Sequence, residues 1–276
     1  MPCIHRLRHI FAGLLISLVP SLLLFTSNNA LAHDLIWKPS VNRACDKLIV
    51  GGANGWEPVS YVDENGMPQG VAIEVLRHYA KNWGLETDIH LEIPWTRSLR
   101  MLETGQIDVI AGAYFTDQRN LEFIYSVPFA NDDVMIFQHR DFPFRVSGIS
   151  DLMGHRGARP QGGSYGDEID RFAKQWLDMV YSPTGDRIFD VLLNGRVDYV
   201  MLGRYDGMAN ILNDKLDGIV LPVEPPLAVN KVYLIFSRNS PCLADTVTLN
   251  NLIGELDENG QLAQWVQLHL PSSNSN

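Results

Sequence analysis

The chain has 276 residues, 46% of them hydrophobic, and 32 acidic against 22 basic side chains give it a formal net charge of −10. That balance argues against a nucleic-acid partner and against a polybasic membrane contact, because both need a surplus of Lys and Arg. An anionic small molecule stays open, since one local arginine outweighs a distant, screened field.

His5, Arg6, Arg8 and His9 precede an apolar run from Ile10 to Phe25, and Ala30-Leu31-Ala32 offers small residues at the −3 and −1 positions of a cleavage site. A basic flank, an apolar core and such a site describe a secretory signal peptide over residues 1–32. The uncharged core would also suit an anchor, but Pro20 and the clean site favour removal, with the mature chain starting at His33. No other run is long and apolar enough to span a bilayer. Cys3, Arg6 and Arg8 leave with the leader and no acidic residue does. Cys45 and Cys242 remain. In an oxidising compartment they suggest one disulfide clasping the two chain ends, two buried free thiols being the alternative.

The mature length suits one large domain or two small ones. Leu48-Ile49-Val50 reads as a buried strand ending in Gly51-Gly52, and Asp63-Glu64-Asn65-Gly66 as a turn. Apolar residues recur at helical spacing from Val71 to Trp83, where Gly84 supplies a cap. Thr87 to Ile93 alternates like a strand, Thr96 to Glu103 is helical and closed by Gly105, and Ile107 to Ala111 is the next strand. Such alternation means βαβ units and a mostly parallel sheet.

The segment from Val109 to Phe129 carries the chemistry. Its apolar start ends in small residues around Gly112, so something approaches the backbone closely there. Thr116 reads as a helix cap, which puts Arg119 in a first turn whose positive end disfavours a cation. The placement makes sense if Arg119 and the backbone N–H groups of Tyr114 to Thr116 share one anion. A guanidinium fork matches a carboxylate bidentately, and unpaired N–H groups at a helix start complete the cradle. A solvated surface arginine is the alternative.

Val134 to Phe137 makes a further strand, and the character changes at Arg140-Asp141-Phe142-Pro143. A second series follows: a weak strand near Gly157-Ala158, helices from Asp167 to Met179 and from Arg187 to Asn194, a strand from Asp198 to Leu202 and a helix from Tyr205 to Leu212. It continues with strands at Ile219 to Leu221 and Val232 to Phe236 and a helix from Leu243 to Leu256 ended by Gly260. An amphipathic helix carrying Leu262, Trp265 and Val266 precedes a polar tail. One echo links the two series. Leu102, Gly105, Ile107 and Asp108 recur at the same spacing as Leu192, Gly195, Val197 and Asp198. In each copy a helix ends at glycine and an apolar–Asp pair opens a strand, which suggests two lobes built alike.

From Leu48 to about Leu270 the chain resembles the family 3 extracellular solute-binding proteins, the amino-acid-binding type of the bilobed periplasmic binding fold. Gly112, Thr116, Arg119 and Tyr125-Ser126-Val127-Pro128-Phe129 match the family's T-x-x-R…F-S-x-P-[YF] pattern. The resemblance implies an α/β fold of two lobes, each a mostly parallel sheet flanked by helices, joined by crossing hinge strands at Val134 to His139 and Lys231 to Ser237. It puts lobe 1 at residues 46–137 and 236–272, lobe 2 at 138–235 and a disordered tail at 273–276. It implies that Arg119 grips a ligand carboxylate, with Gly163, Ser164 and Tyr165 meeting it from the second lobe. Trp56 and Trp95 become walls of the cleft beside Tyr114. Arg97, two residues after Trp95, would suit a second anion there, a solvated helix residue being the alternative. A periplasmic monomer is implied, serving an inner-membrane permease of the ABC type or a sensor, with no cofactor or metal and no catalysis.

Departures from the pattern bear on the ligand. Gly203, Ala72 and Ala53 stand where many members have acidic residues. An α-ammonium left unpaired there would cost several kcal/mol of desolvation. Either Glu57, Glu74 or Asp206 substitutes, or the ligand lacks an α-amino group. Two enzyme readings compete. One is a dehydratase of cyclic carboxylates on the same fold, with Glu57 or Glu74 as acid–base. The other is a serine hydrolase, because Gly162-Gly163-Ser164-Tyr165-Gly166 fits a nucleophile elbow. That second reading requires an acid near Asp206 together with His269, the only downstream histidine, and Arg156 to Pro160 is too polar and Pro-broken for its central strand.

Overall fold

The computed structural model describes residues 45–182, 187–242 and 246–270. The leader, the mature start and the tail at 273–276 lie outside them. Along the chain run β1 (Lys47–Gly52), a small hairpin β2 (Tyr61–Val62) and β3 (Pro68–Gln69), α1 (Val71–Asn82), β4 (Glu86–His90), α2 (Trp95–Glu103) and β5 (Val109–Tyr114). Next come α3 (Asp117–Glu122), β6 (Phe123–Tyr125), β7 (Ala130–His139), β8 (Arg156–Pro160), α4 (Asp167–Trp176), β9 (Asp178–Ser182) and α5 (Phe189–Leu193). The series closes with β10 (Tyr199–Gly203), α6 (Arg204–Asn213), β11 (Val220–Ser237), α7 (Thr246–Glu258) and α8 (Gln261–His269).

The strands form one continuous path, β4-β1-β5-β11-β7-β10-β8-β9, with β6 beside β11. β1 pairs parallel with β4 and β5, and β8 pairs parallel with β9 and β10. Between these parallel halves, β7 and β11 run antiparallel to each other. This is the two-lobed α/β architecture expected from the sequence, with β7 and β11 as the crossing strands.

Two differences from the sequence reading bear on the main sheet. β11 is a single strand of 18 residues that absorbs the separate strand expected at Ile219 to Leu221. Pro222, Pro225 and Pro226 disguised it, and the pairing with β7 shifts register between Val223 and Ala228, because proline has no N–H to give a ladder. The helix expected to reach Met179 stops at Trp176, and Asp178–Ser182 pairs with β8 as an edge strand instead. Its Met-Val-Tyr centre has the side chains of a strand, not of a helix end. The last long helix is described from Thr246 on.

The echoed motif does the same work twice. Gly105 (φ +72°) and Gly195 (φ +65°) end their helices in the left-handed region that glycine enters without penalty. Asp108 N–H then donates to Ile49 O, and Asp108 Oδ2 accepts from Ile49 N–H at 2.7 Å. Asp198 N–H likewise donates to Arg156 O, and Asp198 Oδ2 accepts from Arg156 N–H, also at 2.7 Å. Each aspartate thus ties the start of a central strand to its parallel neighbour.

Packing follows the sequence pattern. On α1 the residues Val71, Ala72, Ile73, Val75, Leu76, Tyr79 and Ala80 are buried against the first sheet half. Ala72 is fully buried, so that position serves the core and not a ligand. A separate cluster with Phe137, Phe189, Leu192, Val200 and Ile211 fills the second half. Cys45 and Cys242 form a disulfide. Among the described residues no helix is long and apolar enough to cross a membrane.

Candidate functional site

A cleft of about 320 Å³ opens between the two sheet halves. From the first come Ala53, Trp56, Glu92, Trp95, Tyr114 and Arg119, and from the second Gly163, Ser164, Tyr165, Asp206 and Asn210. The strand ends and helix starts that supply these residues are the places where an α/β sheet leaves backbone groups free for a ligand.

Arg119 is 9% exposed. Thr116 caps α3 and accepts the Arg119 backbone N–H on Oγ1 at 3.1 Å, which aims the side chain inward. The guanidinium donates from Nη1 to Tyr114 O and from Nη2 to Gly162 O, each at 3.2 Å, and lies 5.5 Å from the ring centroid of Trp95. It has no salt bridge to a described carboxylate. Burial pulls its pKa below the ordinary arginine value, the sign of a cation short of compensation. The Trp95 indole also donates to Gly162 O, at 3.0 Å. One carbonyl of the second half therefore seats two side chains of the first. Residue 162 must be glycine for this, with φ +74° and a virtual Cβ 2.7 Å from Thr96 Cγ2.

Gly112 does not line the cleft but lies behind Trp56. With φ +102°, a Cβ there would stand 2.9 Å from the Trp56 ring and 2.6 Å from Val59. Trp56 meets Tyr114 edge-on at 5.3 Å, and the two donate to one oxygen of Asp132, from Nε1 at 2.9 Å and from Oη at 2.7 Å. Across the cleft, Tyr165 donates its hydroxyl to Met201 O at 2.9 Å, and Arg159 stacks 4.6 Å over its ring. The Ser164 hydroxyl is engaged by Asp170, and Arg159 bridges Gly163 O and Asp170.

The structure thus brings Trp56, Trp95, Tyr114, Arg119, Gly163, Ser164 and Tyr165 together, with Gly112 and Thr116 supporting from behind. Arg97 is not brought in. It is exposed on α2, and α2 buries only Ser98 and Leu102. Of the three candidate acids, Asp206 lines the cleft, whereas Glu57 and Glu74 do not. Glu74 pairs with Arg77, and burial raises the pKa of Glu57 away from the cleft. This removes the acid–base pair that the dehydratase reading named. The hydrolase reading fails on geometry as well, because Ser164 has an aspartate partner and His269 is bonded to the Tyr61 hydroxyl at 3.0 Å, outside the cleft. Sequence reasoning missed Asp132. Its one signal was Asn131-Asp132-Asp133, three polar residues near the start of a strand whose centre, Val134 to Phe137, is apolar. No described group of three or more His, Cys, Asp or Glu is placed to hold a metal.

Two lobes closing on a cleft with a buried, uncompensated arginine define a small-molecule-binding protein. The chain belongs to the bacterial extracellular solute-binding proteins, family 3, whose model matches residues 48–271. No curated protein matches the sequence. Among solved structures, the chain is similar to holo ArgBP from T. maritima, at 22% identity over 80% of this chain and 96% of that one, with a TM-score of 0.67. It is similar to AbpA, an amino acid ABC transporter substrate-binding protein from Streptococcus pneumoniae bound to L-arginine, at 19% identity over 84% and 97%, with a TM-score of 0.71. A histidine kinase sensor domain with similarity to periplasmic binding proteins gives 24% identity over 81% and 96%, with a TM-score of 0.70. At such identities these likenesses establish the fold.

Proposed function

We propose that this family 3 solute-binding protein closes its lobes, residues 46–137 with 236–272 and residues 138–235, over a small carboxylate-bearing ligand, a polar amino acid or related organic acid. It works in the periplasm as a monomer after loss of its leader, handing the ligand to a membrane permease or reporting it to a sensor. Binding is a population shift from open to closed, without catalysis. The carrying observation is Arg119, buried in the cleft with backbone carbonyls but no described carboxylate as partners. A ligand carboxylate at that fork, met by Gly163 and Ser164, supplies the missing anion.

Asp206 supports an amino acid over a carboxylate without an amino group. It lines the cleft from the first turn of α6, and Asn210 Nδ2 bonds to its Oδ1 at 2.7 Å. An α-ammonium beside it would not be desolvated unpaired. AbpA, which is bound to L-arginine, is consistent with that class. A thermal-shift screen of amino acids against matched carboxylates lacking the amino group tests the reading. Amino acids should raise the melting temperature and the matched acids should not. The reverse order would transfer the ligand to the organic-acid class, and no shift with either set would sink the proposed function.

A further inference from the structure

Asp132 lies 1% exposed near the start of crossing strand β7, where a carboxylate has no place in a simple hinge. Its Oδ2 accepts from Trp56 Nε1 and from the Tyr114 hydroxyl, and its Oδ1 accepts from Tyr205 N–H at 3.3 Å. Burial raises the pKa of Asp132 and the bonds from Trp56, Tyr114 and Tyr205 work against that rise; the carboxylate is the form that accepts all three without spending a site on its own O–H. The donors come from three places: the loop after β1, the end of β5, and the first turn of α6 in the other half of the sheet. Next along β7, Asp133 accepts from Arg204 Nε at 2.8 Å, and Arg204 also reaches Glu224 on β11. The start of α6 is therefore held to both crossing strands.

Gly203 is the counterpart of this arrangement. A Cβ at 203 would stand 2.3 Å from Asp132 Oδ2 and 2.7 Å from the Tyr114 hydroxyl. Backbone freedom does not explain this glycine, because its φ of −60° suits any residue. Space does. The room that a side chain at 203 would take is occupied by the carboxylate and the phenol.

We propose that Asp132 is a positioning residue for the cleft: its carboxylate sets the Trp56–Tyr114 wall against α6, and Gly203 is bare to admit it. The inference rests on the cleft being the ligand site, but it makes demands of its own that need no ligand. Trp56 and Tyr114 are both held by one oxygen, so either ring gives up its hydrogen bond to that carboxylate if it turns. Any ligand packed on that wall meets a surface fixed relative to the second lobe.

The test uses the mature chain. In nitrogen–proton NMR spectra, the Trp56 indole N–H should lie downfield and exchange slowly. Asp132→Asn, which keeps the volume but removes the charge, should move that one resonance upfield and speed its exchange at least tenfold, leaving the other indoles in place. Gly203→Ala should produce the same displacement when Asp132 is present and little further change when it is introduced with Asp132→Ala. Should Asp132→Ala fail to fold, Asp132→Ser empties the same space. An unmoved Trp56 indole in Asp132→Asn, or equal effects of Gly203→Ala in both backgrounds, would overturn the proposal. With L-arginine as probe, calorimetry should show at least tenfold weaker binding to Asp132→Asn. A wild-type chain that ignores L-arginine counts against that one ligand alone, and the two ligand-free readouts still decide Asp132.

Discussion

Arg119 shows how a single side chain acquires a role from its surroundings. A guanidinium in the first turn of a helix is disfavoured by the helix dipole, and burial makes it worse. The residue stays because Thr116 turns it inward and two carbonyls receive part of its N–H fork. Its replacement by alanine is expected to weaken ligand binding by about 2–5 kcal/mol, because the ligand carboxylate is then buried without its partner. Calorimetry with the tightest ligand from the screen checks this, and an unchanged affinity would mean the anchor lies elsewhere. Glu57 makes the opposite kind of case. Its Oε2 is buried without a described partner, and desolvation raises its pKa. A carboxyl whose pKa is raised in the folded state binds its proton more tightly there than in the unfolded chain. Its contribution is therefore present below the ordinary glutamate value of about 4.3 and lost as pH rises through the folded value. Glu57→Gln should lose this dependence, so its stability relative to the parent rises between pH 4 and pH 7 in urea titrations. A difference that stays constant with pH would show that Glu57 titrates normally.

At the scale of elements, the chain is held by devices that join segments far apart in sequence. The disulfide is one: Cys45 stands just before β1, and Cys242 lies between β11 and α7, 197 residues away. It closes a loop containing almost all of the described chain. Reduction should lower the unfolding free energy by about 2–4 kcal/mol, measured by urea titration with and without reductant. A stability indifferent to reductant would mean that the two thiols do not bond in the protein. The crossing strands are another such device. β7 pairs with β11 at its opening and with β10 from Val134 to Gln138, and the Asp132 side chain at that opening bonds to residues of both halves of the sheet. A polar start on such a strand is costly unless each group finds a partner, and Asp132 and Asp133 find theirs in Tyr205 and Arg204.

For the whole molecule the relevant quantity is the balance between open and closed. Among the described residues, bonds that cross the cleft include Arg119 and Trp95 to Gly162 O, and the Asp117 N–H to the carboxylate of Asp167 at 2.9 Å. The last places an acidic side chain of α4 at the start of α3, a favourable cap of about 0.5–2 kcal/mol. Asp167→Ala should therefore favour the open form in the ligand-free protein, and solution scattering should report a larger radius of gyration that ligand restores. An unchanged radius would mean that this bond does not bias closure. Ligand affinity should fall alongside, because part of the binding free energy then goes into closing the lobes.

Much of this was legible in the sequence, for physical reasons. Alternating apolar strands and helices ended by glycine define βαβ units because each period buries one face. The repeated Asp108 and Asp198 motif marked two similar halves because the local geometry of a helix-to-strand joint depends on few residues. Thr116 and Arg119 announced an anion site, since a cap and a cation in one turn conflict unless something reconciles them. Local chemistry of that kind needs no knowledge of the fold. Other features depend on which segments meet. Whether Asp206, Glu57 or Glu74 faces the cleft follows from how α6 and α1 pack, and nothing near those residues in sequence says so. β11 hid behind prolines whose missing N–H groups matter only once β7 is its neighbour. Gly203 read as a missing acid, and only the tertiary structure shows an aspartate from a strand 71 residues earlier lying against it. The sequence by itself determined the architecture and singled out Arg119, the proposed carboxylate anchor, because both are written in local periodicity and capping. The other end of the site was decided by tertiary contact, because burial and shared space between distant segments leave no local trace.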